Sequence, residues 1–274
     1  MSPEQVSDPA KSSPFGVKYR NPQPVERSMH MRVIAHRGSA QVWPENTMLA
    51  FDYANDHGAS GFEIDLQLSA DGEIVLCHDD NLKRFGLKQI TISQQAVADL
   101  ARVEISSLNG QYRDHLMTLR QLLQKYPDKH YTFDCKGNRP AMIRHLRQLI
   151  DELAPDCHCW FLGWSQEINR EIERLFPNSH CYPGYWRSWR WGVLSLLGLG
   201  NYDEPDHPIL ALPASFHGRK VFRKEQVRAI KQRQKQFVAY LVNTEAELKY
   251  CLDCEVDTIL TDRPDKIKQF LDGW

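Results

Sequence analysis

Short apolar runs that alternate with helix-patterned segments constrain this chain more than any other feature. The first run is Arg32-Val33-Ile34-Ala35-His36. After a loop with Pro44, Asn46 is a suitable N-cap for a helix Thr47–His57, which puts Leu49, Ala50, Tyr53 and Ala54 on one face and ends at Gly58. The second run, Gly61–Leu68, meets a turn signal at Ser69-Ala70-Asp71-Gly72, and Glu73–His78 reads as a further extended piece. The connection Asp79–Met117 is too long for a plain loop and is predicted to hold one short helix near Gln94–Val103. A helix over Thr118–Tyr126 follows. Later runs fall at His130–Lys136, Trp160–Gly163, His180–Tyr182, Ile209–Leu212, Phe237–Val242 and Thr258–Leu260, and helix-patterned segments follow each. Eight such units, with no G-x-G-x-x-G after the first strand, predict an α/β fold of the (β/α)8 TIM-barrel type, a single domain over residues 31–274.

Residues 1–30 hold Pro3, Pro9, Pro14, Pro22 and Pro24 among polar residues and are expected to form a flexible, disordered N-terminal tail. They contain no charged-then-apolar signal pattern. The longest apolar stretch, Trp191–Gly200, is about half of the ~20 residues that a membrane span needs. A cytoplasmic protein is expected. Lys+Arg 34 against Asp+Glu 35 leaves no basic excess for a nucleic-acid partner. The seven cysteines include two close sets, Cys157-His158-Cys159 and Cys251-Leu252-Asp253-Cys254, each without a second pair at zinc-site distance. They read as scattered reduced thiols.

In a barrel, the C-terminal ends of strands carry the chemistry. His36, Asp65, Asp134, Lys136 and Asn243 fall at such ends. Glu63 and Asp65 sit two apart on one strand and therefore share a face. Two carboxylates on an inward face repel and lose hydration unless a cation joins them, and all-oxygen ligation suits Mg²⁺ or Ca²⁺. His36 and His78 each end an apolar run, and together they fit the acid and base of a hydrolytic step. Arg37 and Lys136 suit a phosphoryl oxyanion beside a hard cation.

The string His36-Arg37-Gly38, Pro44-Glu45-Asn46-Thr47, Gly61-Phe62-Glu63-Ile64-Asp65, Asp71-Gly72 and Val75-Leu76-Cys77-His78-Asp79 resembles the glycerophosphodiester phosphodiesterase family in order and gaps. Later echoes are Thr118-Leu119, Asp134-x-Lys136, Tyr240-Leu241-Val242-Asn243 and Thr261-Asp262-Arg263-Pro264. The resemblance implies a TIM barrel that hydrolyses glycerophosphodiesters to an alcohol and glycerol phosphate with one divalent hard cation, Mg²⁺ or Ca²⁺. It implies Glu63, Asp65 and Asp134 as metal ligands, His36 and His78 as the acid–base pair, and Arg37 and Lys136 as phosphate-binding residues. Two positions depart from the family pattern: Asp134 replaces the usual Glu, and Tyr240, in the substrate wall, replaces the usual Trp. Should Asp134 not be the third ligand, Glu45 is the next candidate.

Two alternatives stay open. Related barrels cleave phosphoinositides or sphingomyelin-type lipids, so this chain could act on a lipid-bearing diester such as a lysophospholipid, and a barrel could also bind a phosphorylated ligand without turnover. Tyr185–Leu199 bears on the first. Trp186, Trp189 and Trp191 alternate with Arg187 and Arg190, ahead of Leu194, Leu196, Leu197 and Leu199. The segment reads as the fifth barrel helix, yet it holds more apolar residues than one stripe requires. It is expected to form an apolar lid beside the site and a weak membrane-surface contact. No feature of the sequence sets the oligomeric state.

Overall fold

The structure is a computed structural model that describes residues 31–197 and 208–273. The tail expected over residues 1–30 lies outside the described residues, as do residues 198–207 within and beyond the expected lid segment. Eight parallel strands line up in the order fifth, fourth, third, second, first, eighth, seventh, sixth. They are Arg32–His36, Gly61–Leu68, His130–Cys135, Cys159–Gly163, His180–Cys181, Ile209–Pro213, Gln236–Tyr240 and Thr258–Thr261. This is the expected TIM barrel, with one departure. Among the described residues no ladder joins the fifth strand to the sixth, so the hydrogen-bonded ring is nearly closed. The fifth strand is only two residues long, which gives little backbone to pair.

Alternation along each strand sorts the side chains. All eight residues of the second strand are buried. Phe62, Ile64 and Leu66 join Phe133, Phe161 and the helix residues Phe51, Leu122, Leu146 and Ile168 in one core. Glu63, Asp65 and Gln67 take the opposite face, as the two-residue period requires. Each fully buried Phe, Ile or Leu contributes about 1.5–3 kcal/mol, so the outer face fixes the register of the inner one. A second core joins Phe237, Ala239 and Ile259 to Val227, Leu248 and Ile267.

The helices follow the sequence closely, with Met48–Asp56 first and Pro264–Asp272 last. The first helix corrects one expectation, because its N-cap is Thr47 rather than Asn46. Asn46 instead adopts a left-handed backbone, φ 57°, and turns its side chain inward. Residues 79–117 give a second correction. Their helix covers only Val97–Leu100, and two antiparallel hairpins, Asn81–Leu82 with Leu87–Thr91 and Glu104–Ser106 with Arg113–His115, fill the rest. These hairpins close a small core of their own around Val75, Leu82, Ile92, Leu100 and Ile105. The extended piece after the turn is the strand Ile74–Leu76, antiparallel to the second barrel strand. No helix among the described residues is long and apolar enough to cross a membrane.

Candidate active site

The parallel register brings the expected site residues together. His36 lies opposite Glu63, and Asp65 lies opposite Asp134. Like charges directly opposed on one face destabilise a sheet unless something neutralises them. Glu63, Asp65 and Asp134 are all buried, and one carboxylate oxygen from each lies within 4.8 Å of the others. A solvated strand face is therefore ruled out for this group.

Two cations sit among the acids. Lys136 Nζ is 2.5 Å from Asp134 Oδ2 and 3.1 Å from Asp65 Oδ1. Arg37 Nε is 2.9 Å from Asp65 Oδ2, and its Nη1 is 3.3 Å from Glu45. The Lys136 and Arg37 contacts to Asp65 are ion pairs without hydrogen-bond alignment. Asn46 Nδ2 donates to Asp65 Oδ2 at 2.9 Å. Burial alone would raise the Asp65 carboxyl, but Arg37 and Lys136 outweigh it and hold the group below the usual carboxylate range. At Glu63 the charges of His36 and Arg37 do not prevail. Burial, and then the Asp65 and Asp134 charges, push its carboxyl up to about 8. Its Oε2 is buried without a hydrogen-bond partner. Burial likewise raises Asp134 against the pull of Lys136.

The two histidines are each held at Nδ1 by an acid. His36 Nδ1 is 2.6 Å from Asp262 Oδ1, and its Nε2 is 3.8 Å from Glu63 Oε2. Burial would lower the His36 pKa, but Glu63 and Asp262 outweigh it and raise the ring above its ordinary value. Asp262 is fixed in turn by Asn243, whose Nδ2 donates to Asp262 Oδ2 at 2.9 Å and whose Oδ1 accepts from the Asp262 backbone N–H. His78 Nδ1 is 2.7 Å from Asp79 Oδ1. Its loop is tied to the strand of the acids, because Gln67 Nε2 donates to the His78 carbonyl at 3.0 Å and the Cys77 N–H donates to the Asp65 carbonyl at 3.0 Å. Arg84 links Asp79 to Glu45, and so ties the His78 loop to Arg37.

Backbone geometry holds this assembly in place. Arg37 takes φ 51° and Gly38 φ 83°. A Cβ on Gly38 would stand 2.7 Å from the Ala50 carbonyl carbon, so only glycine lets the loop approach the first helix. The Asn46 N–H donates to the Arg37 carbonyl at 3.0 Å, and the Arg37 N–H donates to the Glu63 carbonyl at 2.9 Å.

All eight expected residues thus lie at the C-terminal end of the barrel, Tyr240 among them as the last residue of the seventh strand. Glu45 contacts Arg37 and Arg84 rather than joining the three-acid cluster. Sequence reading gave Asp262 no role, placed Asn243 only at a strand end and took Asn46 for an N-cap, although each stood in a quoted motif. It passed over Trp164, whose Nε1–H donates to Asp134 Oδ1 at 2.5 Å. The signal was available, because Trp164 directly follows the fourth strand.

The expected lid residues form the helix Tyr185–Leu196. Trp191 is buried on the sixth strand's outer core, whereas Trp189 is 57 % exposed and Leu197 64 % exposed. The helix therefore carries apolar side chains both in the core and at exposed positions, Leu196 among the latter. Cys157 and Cys159 lie at the opposite end of the barrel beside a cavity of ≈ 130 Å³ also lined by Trp160 and His180. All seven cysteines are free thiols.

The sequence profile of the Glycerophosphoryl diester phosphodiesterase family matches residues 36–166 and 198–266. A glycerophosphodiester phosphodiesterase of Bacillus altitudinis is 24% identical over 249 residues, 86% of this chain and 96% of that protein. A human lysophospholipase D is 24% identical over 272 residues, 87% of this chain and 85% of that protein. Among solved structures, a phosphodiesterase of Oleispira antarctica in complex with the product sn-glycerol-3-phosphate shares the fold with a TM-score of 0.68 at 24% identity, over 88% of this chain and 96% of that one.

Proposed function

The chain belongs to the glycerophosphoryl diester phosphodiesterase family, a family of phosphoric diester hydrolases, and we propose that it hydrolyses glycerophosphodiesters to an alcohol and glycerol phosphate with a hard divalent cation and histidine acid–base catalysis. One observation carries this reading: three buried carboxylates converge beside two cations and a carboxylate-held histidine, with Glu63 Oε2 left without a hydrogen-bond partner. The donor set is all oxygen, which suits Mg²⁺ or Ca²⁺. Glu63, Asp65 and Asp134 would hold the ion. Bound there, it would supply charge stabilisation to the phosphate oxygens.

The protein's own groups do the rest. Arg37 and Lys136 bind the phosphate oxyanion, each as a charge-assisted donor. Asp262 and Asp79 fix the Nδ1 side of His36 and His78, which leaves Nε2 as the atom that exchanges a proton. One histidine deprotonates the nucleophile, either the substrate's glycerol hydroxyl or water, and the other protonates the leaving alcohol. Tyr240 forms part of the substrate wall. A cytoplasmic location is part of this reading, supported by cysteines that read as scattered reduced thiols.

The exposed apolar side chains of Tyr185–Leu196 favour a second substrate class at the same site, lysophospholipids, whose acyl chain Trp189 would cover. The likeness to a lysophospholipase D supports it. Those same side chains would give a weak membrane-surface contact.

The test is glycerol phosphate release from glycerophosphocholine by EDTA-dialysed protein. Activity should return on addition of Mg²⁺ or Ca²⁺. Full activity in EDTA would remove the metal from the reading, and activity retained by His36→Ala would remove the acid–base assignment.

A further inference from the structure

Asp134 is held from two sides. Lys136 Nζ donates to its Oδ2 at 2.5 Å, and Trp164 Nε1–H donates to its Oδ1 at 2.5 Å. The ammonium of Lys136 also lies 5.5 Å from the Trp164 ring centroid, within range of a cation–π contact. Trp164, Asp134 and Lys136 therefore form one closed set of contacts. The backbone of Trp164 is fixed between two elements. Gly163, the last residue of the fourth strand, pairs with Cys135. Ser165 caps the helix Gln166–Leu175 by accepting from the Ile168 N–H, and its hydroxyl donates to Asn138.

The placement is unusual for a large aromatic residue. Trp164 is 52 % exposed, so it contributes little burial to the core. Its one polar atom is spent on a buried carboxylate. A short aspartate side chain reaches less far than a glutamate, so the rotamer it adopts decides whether its oxygens meet those of Glu63 and Asp65.

We propose that Trp164 is a positioning residue for the metal site, its indole N–H fixing the rotamer of Asp134 so that the carboxylate faces Glu63 and Asp65. The proposal rests on the reading of Glu63, Asp65 and Asp134 as metal ligands. Asp134 keeps lone pairs on both oxygens after accepting one bond at each, so ligation and positioning are compatible. The indole N–H donates and cannot accept, so it favours the charged carboxylate that a cation needs.

The experiment is calorimetric titration of Mg²⁺ and Ca²⁺ into the metal-free protein, for wild type, Trp164→Phe, Asp134→Ala and the double variant. Partners that orient a metal ligand typically change affinity about 10–100-fold when removed. Trp164→Phe, which keeps the ring and loses the N–H, should weaken the ion about tenfold or more with its melting temperature preserved. In the Asp134→Ala background the same substitution should change affinity less than twofold, because there is no carboxylate left to hold. Wild-type affinity in Trp164→Phe, or an equal loss in both backgrounds, would overturn the proposal and leave Trp164 as a wall. No binding by wild type would instead sink the metal reading itself, and this inference with it.

Discussion

Glu63→Gln is the substitution whose consequence follows most directly from the electrostatics of the site. In the metal-free protein the Glu63 carboxyl is raised from 4.5 to about 8 by burial and then by the Asp65 and Asp134 charges. Below pH 4.5 both folded and unfolded chains hold the proton, and Glu63 costs nothing. As the pH rises to about 8 the unfolded chain loses the proton first, so the folded state is progressively penalised. One pKa unit is worth about 1.4 kcal/mol, so a shift of this size sets a ceiling of about 5 kcal/mol on the penalty above pH 8. A buried glutamine amide keeps a desolvation cost of its own, so a gain of about 2–4 kcal/mol, below that ceiling, is expected at pH 9. For a chain of this size that corresponds to on the order of 5–10 °C in melting temperature. The assay is thermal unfolding of EDTA-dialysed wild type and Glu63→Gln from pH 5 to 9, repeated with Mg²⁺ or Ca²⁺. Wild type should lose stability relative to the variant as the pH rises, and should recover it with the ion, while the variant should respond weakly to the ion. Parallel pH profiles for the two metal-free proteins would refute the reasoning, because they would mean that Glu63 is not desolvated among like charges.

Further outcomes follow from the same geometry. Ion binding at pH 7 should release close to one proton per ion in wild type, since Glu63 must ionise to ligate, and calorimetry in buffers of different ionisation enthalpy reads that number. Asp134→Ala should weaken the ion and lower activity, whereas Asp134→Glu should keep much of both; equal affinity in wild type and Asp134→Ala would point to another third ligand. His78→Ala should lower kcat by about 10²–10⁴-fold, the usual contribution of general acid–base catalysis, with ion affinity in calorimetry little changed. Trp189→Ala should reduce turnover of a lysophospholipid more than that of glycerophosphocholine, and an equal loss on both would make the exposed helix residues incidental.

The barrel and most of its site were legible because both rest on local periodicity. The two-residue alternation of Gly61–Leu68 puts Phe62, Ile64 and Leu66 on one face and Glu63 and Asp65 on the other, and the structure keeps that division. What eluded the sequence depends on partners far along the chain. Asp262 reaches His36 across 226 positions, and Trp164 reaches Asp134 across 30. No window of sequence contains both members of either pair. Asn46 misled for a related reason: as a local signal it reads as an N-cap, but Asp65 claims its amide and a left-handed backbone turns it away from the helix. The hairpins of residues 79–117 were hidden because their strands are two to five residues long and only half buried, too short for alternation to register.

The most direct test of the proposed chemistry is the identity of the first phosphorus-containing product. Phosphorus NMR of glycerophosphocholine with the metal-loaded protein should show the diester signal replaced by glycerol phosphate, with choline released in equal amount. Early spectra would also register any cyclic diester formed by the glycerol hydroxyl. Addition of EDTA should stop the conversion, and His36→Ala should leave the diester intact. Accumulation of phosphocholine and free glycerol, or no conversion with either ion, would contradict the assignment.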